Sequence, residues 1–201
     1  PPPSASPPPS PQDTHTPPPD PTLSDTPTRH QHRRLELQPR QQAGGDERRT
    51  VLVMKAPDWI NVIPLLDDGR VVLVRQWRYG IQQPTLEIPG GMVDVGEDSR
   101  RAAARELEEE TGLRAGELRQ LGFSHPNPAF LDNRLTTWLA TDLQAIDEGR
   151  TSFGVDGEEI QRELVPLEEI SHLVGTGQIS HALVIAAFYL FEAAHRKAFL
   201  G

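Results

Sequence analysis

Apolar positions along this chain fall into short runs, with one stretch of helical spacing between them and one at the end. The runs "INVIPLL" from Ile60 and "VVLVRQW" from Val71 are almost continuously apolar, the pattern of strands buried on both faces. "DDGR" separates them and reads as a hairpin turn. "RLELQ" and "RRTVLVM" read as short strands around the pair Gly44 and Gly45, and "TLEIPGG" as a strand ending in a glycine turn. A helix is predicted from about Asp98 to Thr111, with Asp98 as N-cap, Gly112 as terminator and a small apolar side of Ala102, Ala103, Ala104 and Leu107. "LRQLGFS" and "RLTTWLAT" are strands on either side of the loop "HPNPAFLDN". "EEIQRELVPL" is a last strand, followed by helical "LEEISHLVG" and the closing helix "SHALVIAAFYLFEAAHRKAFL". The apolar run Ala182 to Phe191 suits a helix covering a sheet and is too short to cross a bilayer; a share in a dimer interface is the rival reading. Strands with helices on both sides predict an α/β sandwich.

Composition adds a boundary. Twelve of the twenty prolines fall within Pro1 to Thr28, among Ser, Thr and Asp, and such a segment cannot bury enough surface to offset its ordering entropy. Residues 1–33 therefore read as a disordered tail with polyproline II character, and residues 34–201 as the globular domain, with 34–56 a small N-terminal strand region. "PPPSP" and "TPPPDP" suit the groove of a proline-binding partner, although a biased terminal extension is the simpler reading. The net charge of -9 and pI near 5.2 supply no basic field for nucleic acid. The absence of cysteine excludes disulfides, thiol nucleophiles and zinc-thiolate sites. No apolar run approaches the ~18 residues that would span a membrane. "PPPSASPPPS" has neither the basic nor the apolar region of a secretion signal, and the chain does not begin with Met, as a fragment or processed form would not. These features predict a soluble cytoplasmic protein.

Chemistry enters at "RELEEETGL", Arg105 to Leu113. Four of these nine residues are glutamates. On a helix Glu106, Glu109 and Glu110 share one face and repel by a few tenths of a kcal/mol per pair. They also lie at the helix's negative end, where cations are preferred, while Arg100 and Arg101 stand at the positive end. Charges so arranged oppose stability, and a bound cation relieves them most simply. Oxygen donors without sulfur suit a hard divalent ion such as Mg²⁺ or Mn²⁺, which keeps waters and bridges to substrate phosphates. The predicted chemistry is metal-assisted attack of water on a phosphate chain. A solvated acidic face is the competing reading.

A wider frame decides between them. Gly91 is followed by five residues, Glu97, seven residues, Arg105, Glu106, Leu107, one residue, Glu109, Glu110, one residue, Gly112 and Leu113. This stretch resembles the signature of the Nudix hydrolases at every defined position. The resemblance implies a Nudix-type αβα sandwich with a mixed β-sheet. It implies Glu110 as a central metal ligand, with Glu106 and Glu109 completing the cluster or holding metal-bound waters, and the Gly90 carbonyl joining them. Arg105 would pair with the acids and fix their rotamers. Glu97 would orient Arg105 or the loop, and Gly91 and Gly96 would let the loop fold close to the metals. Glu108 interrupts the acidic face and is expected in solvent.

The flank "NVIPLLDDGRVVLVRQWRYGIQQPTLEIPGG" resembles the ADP-ribose and nucleoside diphosphate sugar pyrophosphatase branch. That branch releases a nucleoside monophosphate and a sugar phosphate. Pro128, sixteen residues past Gly112, occupies the place of a proline found in ADP-ribose pyrophosphatases, although "HPNPAFLDNR" is closer to nucleotide-sugar hydrolases. Arg78 is a candidate phosphate clamp, with an ordinary ion pair as its alternative. Glu87 is a candidate to support the metals or contact the ribose. Asn127 and Arg134 flank the specificity loop as candidate substrate contacts, a turn cap being the alternative for Asn127; His125 reads as a turn residue. A general base is expected in "FGVDGEEIQRE", Glu158 first and then Glu159, beside Asp156, with a solvated turn as the alternative. The branch also implies a homodimer exchanging N-terminal strands. Hydrolysis of nucleoside triphosphates or dinucleoside polyphosphates, and a module that only binds nucleotides or partners, are the other functions carried forward.

Overall fold

The computed structural model describes residues 36–41, 50–146 and 160–199. The proline-rich segment, the glycine pair at 44–45 and the downstream acidic segment with Asp156, Glu158 and Glu159 lie outside these residues. Strands β1 (Glu36–Gln41) and β2 (Thr50–Lys55) form an antiparallel pair. β2 is tied to the later loop, because Met54 N–H donates to the Phe130 carbonyl (2.7 Å) and Met54 bridges to Leu131.

Two sheets build the centre. β3 (Trp59–Pro64) pairs antiparallel with β6 (Gly90–Met92) and parallel with β8 (Leu135–Ala145), which pairs antiparallel with β7 (Leu113–Ser124). β4 (Arg70–Arg78) lies between β5 (Gln83–Glu87) and β9 (Gln161–Pro166), antiparallel to both. Among the described strands, one parallel ladder beside antiparallel ones makes the architecture mixed, as expected.

The alternation of side chains across these strands divides the core. Ile60 and Val62 of β3, Val72 of β4, and Trp138 and Ala140 of β8 pack under α1 (Ser99–Thr111), against Ala102, Ala103 and Leu107. Ile63, Val71, Leu73 and Leu139 point the other way. They meet Ile170 of α2 (Ile170–Gly175) and Val184, Ala187, Phe188 and Phe191 of α3 (Ala182–Phe199). Strands that bury both faces need apolar residues at successive positions, which is why β3 and β4 read as continuous runs. The apolar stretch of α3 is a core helix on one side, while Tyr189 is exposed. Among the described residues no helix is long and apolar enough to cross a membrane.

One expectation is corrected. "DDGR" does form a tight turn, closed by Leu66 N–H to the Arg70 carbonyl at 2.9 Å and by Gly69 at φ +84°. It does not make a ladder. An isolated bridge from Leu65, just past β3, to Val71 follows the turn, and β3 and β4 belong to different sheets.

Candidate active site

The acidic helix α1 is built from both ends. Asp98 Oδ1 accepts from the Arg100 and Arg101 amides at 3.0 Å each, so the two arginines pair with the cap through backbone N–H groups that the helix itself leaves unpaired. Gly112 ends the helix at φ +64°, its N–H returned to the Glu108 carbonyl, a conformation in which any Cβ is strained. From β9, Arg162 Nη1 donates to the Thr111 carbonyl at 2.7 Å. It brings a cation to the negative helix end that the helix sequence leaves without one. Burial holds the Arg162 pKa below its usual value.

The crowded carboxylates are held by donors of the protein. Arg105 Nη1 reaches Glu106 (2.8 Å) and Glu109 (3.3 Å); its Nε and Nη2 grip Glu97 (3.1 and 3.0 Å), and Nη2 also donates to the Met92 carbonyl. Hydrogen bonding to Glu97 is the main cause raising the Arg105 pKa, and the same contact holds Glu97 below the usual carboxylate range. Glu97 also accepts from the Asp94 amide, so it ties the loop to Arg105. Glu106 and Glu110 are 8% and 7% exposed, deep for glutamates. Glu110 Oε2 accepts from the Gly90 amide at 3.0 Å. Glu108 is not simply solvated. Arg114, six residues on, pairs with it at 2.6 Å.

The glycine turn is fitted to these acids. A Cβ on Gly91 would stand 2.1 Å from Glu106 Oε1, and one on Gly90 would stand 2.6 Å from the Ile60 carbonyl oxygen. Gly96 has a different reason from the one expected. Nothing lies within 4 Å of its Cβ position, and its φ of +82° is what calls for glycine. The donor set beside Gly90 and Gly91 is entirely oxygen, which fits a hard divalent ion. Among the described residues, however, no three acidic or histidine side chains stand together as a ready-made metal site. Arg105 and the Gly90 amide hold the carboxylates instead.

Outside the helix, Arg78 and Glu87 form one unit. Arg78 Nε and Nη2 reach the two Glu87 oxygens at 2.7 and 2.8 Å. Thr85 donates to the same carboxylate at 2.5 Å, and His181 Nδ1 lies 2.6 Å from it. Burial would raise the Glu87 pKa, but hydrogen bonds from Arg78, His181 and Thr85 outweigh it and hold the carboxyl well below its ordinary range. Both Glu87 oxygens are thus taken by the protein.

Because this pKa is depressed, the stabilisation is complete above the ordinary value of 4.5 and is lost as pH falls toward the folded-state value. Glu87→Gln is therefore expected to lower stability by about 2 kcal/mol at pH 5 to 7, below the cost of breaking a fully buried pair because Arg78 is half-exposed. The difference from the parent should shrink below pH 4.5, as urea-unfolding midpoints against pH would show.

The loop between β7 and β8 supplies the other candidates. Asn127 caps a turn, its Oδ1 accepting from Ala129 N–H at 3.3 Å and its carbonyl from Leu131 N–H at 2.8 Å. Pro128 is exposed beside it. The Arg134 guanidinium stacks 4.4 Å above the Phe123 ring. Arg134 N–H donates to the Asp58 carboxylate, and the Asp58 carbonyl accepts from Val93 N–H, so Asp58 joins this loop to the turn after β6. Asp58, Arg162 and His181 join the site without a sequence signal of their own. Each acts through a partner at least 35 positions away, where no local pattern signals it.

A NUDIX domain family model matches residues 56–188. The chain belongs to the Nudix family and is a hydrolase acting on phosphoric anhydrides. It is similar to the ADP-ribose pyrophosphatase of Bacillus subtilis, 31% identical over 131 residues, or 65% of this chain and 69% of that protein. The ADP-ribose pyrophosphatase of Mycobacterium tuberculosis is 30% identical over 135 residues, 67% of this chain and 64% of that one. A crystal structure of an ADP compounds hydrolase superposes with a TM-score of 0.66 at 24% identity, covering 76% of this chain and 80% of the other, a likeness of fold.

Proposed function

We propose that the chain is a Mg²⁺-dependent pyrophosphohydrolase of ADP-ribose or a related nucleoside diphosphate sugar, yielding a nucleoside monophosphate and a sugar phosphate. The observation that carries this reading is the intact acidic face of α1, with buried Glu106 and Glu110 set against the Gly90–Gly91 turn. The names of the Bacillus and Mycobacterium relatives support the substrate class. Glu106, Glu109, Glu110 and the Gly90 carbonyl would hold Mg²⁺ or Mn²⁺. When bound, such an ion neutralises the diphosphate and lowers the pKa of a water.

The remaining roles belong to the chain. Arg105 keeps Glu106 and Glu109 in position. Arg78, held by Glu87 and with its side chain half-exposed, binds a phosphate oxygen. Arg134 and the turn at Asn127 and Pro128 meet the nucleoside or sugar, and Glu158 or Glu159 takes the proton of the attacking water. A homodimer is part of the same proposal, as the resemblance to the pyrophosphatase branch implies.

Chromatography of the products tests the proposal. ADP-ribose with Mg²⁺ is expected to give AMP and ribose 5-phosphate, with turnover stopped by a chelator and restored by excess Mg²⁺. Turnover confined to nucleoside triphosphates, or turnover indifferent to chelation, would overturn it.

A further inference from the structure

The Arg78–Glu87 pair is supported from a distant part of the chain. His181 stands immediately before α3, and its carbonyl accepts from the Val184 and Ile185 amides, so its backbone belongs to the first turn of that helix. Its Nδ1 lies 2.6 Å from Glu87 Oε2. A carboxylate at that distance fixes Nδ1 as the protonated nitrogen and the donor. The same turn of α3 is held a second time, by Asn61 Nδ2 donating to the Leu183 carbonyl at 3.3 Å. Asn61 is the β3 residue that faces Gly90 across the ladder. The start of α3 is therefore fixed both to β5, which leads into the glycine turn, and to β3, which pairs with it.

Glu87 sits between these parts. It is 3% exposed, and its two oxygens take four donor contacts: Arg78 Nε and Thr85 on one, Arg78 Nη2 and His181 on the other. Arg78, by contrast, has 43% of its side chain exposed. A long guanidinium side chain at that exposure has rotamer freedom to lose when it meets an anion. Gripping it at two nitrogens, on a carboxylate that is itself prevented from turning, removes that loss before the ligand arrives.

We infer that His181 is a positioning residue for substrate binding: it locks the Glu87 carboxylate so that Arg78 is presented to the diphosphate in one orientation. This rests on the reading above that Arg78 binds a substrate phosphate. His181 touches no substrate. Its effect falls on ground-state binding, and therefore on KM more than on kcat.

The experiment is a double-mutant cycle with steady-state kinetics on ADP-ribose and saturating Mg²⁺. His181→Ala is expected to raise KM about five- to tenfold with kcat within about twofold, less than the full effect of removing a hydrogen bond to a charged group because Arg78 and Thr85 still hold Glu87. In an Arg78→Ala background the same change should leave KM where Arg78→Ala alone puts it. His181→Asn, whose amide nitrogen takes the place of Nδ1, should restore most of the binding. His181→Gln, of similar bulk but with its donor elsewhere, should not. An unchanged KM in His181→Ala, or an equal rise in both backgrounds, overturns the inference. Should His181→Ala fail to fold, the Asn and Gln variants decide it, since equal KM values for the two also overturn it. If Arg78→Ala itself leaves KM unchanged, the assignment of Arg78 to the substrate is what has failed, and the inference falls with it.

Discussion

Glu110→Gln is expected to lower kcat by about a thousandfold with ADP-ribose at saturating Mg²⁺, while the melting temperature stays the same or rises slightly. A divalent ion contributes several kcal/mol of charge stabilisation, and each 1.36 kcal/mol is a factor of ten in rate. The contact with Gly90 does not need the lost charge. A glutamine oxygen can still accept from the Gly90 amide, the contact that Glu110 makes at 3.0 Å. Removing one of three like charges on a helix face also relieves a few tenths of a kcal/mol of repulsion. Activity and stability should thus move independently, which separates a metal ligand from a structural acid. Glu108→Gln is the matched control: Glu108 faces Arg114 and should keep near-parent turnover. A Glu110→Gln enzyme with normal turnover would remove the metal mechanism.

The helix that carries this prediction was legible in the sequence because its determinants are local. Asp98 and Gly112 each act within a few positions, and both behave as their residue types require. The doubly buried strands were legible for the same reason, since continuous apolar runs state burial directly. Partnership was not. "DDGR" specifies a turn but not whether the strands beside it stay together, and here β3 takes β6 and β8 while β4 takes β5 and β9. The role of Glu108 depended on which way Arg114 turns after the helix ends. Glu87 gave the least sequence signal of all. Its character comes from Thr85, two residues away, Arg78, nine away, and His181, 94 away, of which only the first two lie in the same hairpin.

The charge puzzle in "RELEEETGL" shows how a sound local argument reached only part of the answer. Acids at the negative end of a helix do require compensation, and the reading supplied it with a bound cation. The structure supplies three protein donors as well: Arg105 on the same helix, Arg162 from β9, and the Gly90 amide. Arg105 and the Gly90 amide hold the acids of the helix end one by one, and among the described residues the carboxylates do not converge on a common point.

Gly91→Ala puts the placing of Glu106 to a direct test. The added Cβ would fall 2.1 Å from Glu106 Oε1, 2.4 Å from its carboxyl carbon and 2.8 Å from Oε2. Nothing at that spacing can remain in place. The group that must yield is the end of a flexible side chain, so the fold can accommodate the methyl by swinging Glu106 aside. Glu106 is also pinned to Arg105 at 2.8 Å, so its displacement disturbs the arginine that holds Glu109. A shift of about 1 Å in such a constellation costs roughly a hundredfold in rate. The neighbouring Gly90→Ala should behave differently. Its Cβ meets the Ile60 carbonyl oxygen at 2.6 Å and the Asn61 Cα at 3.1 Å, and backbone in a buried strand cannot swing away. Overpacking there is expected to cost about 1–3 kcal/mol and to loosen the pairing of β3 with β6. Measured together, kcat and urea midpoints should show Gly91→Ala losing mainly turnover and Gly90→Ala losing mainly stability. Equal losses of stability in the two variants would mean that Glu106 is held too rigidly to move, and that the acidic face and the glycine turn form one structural unit.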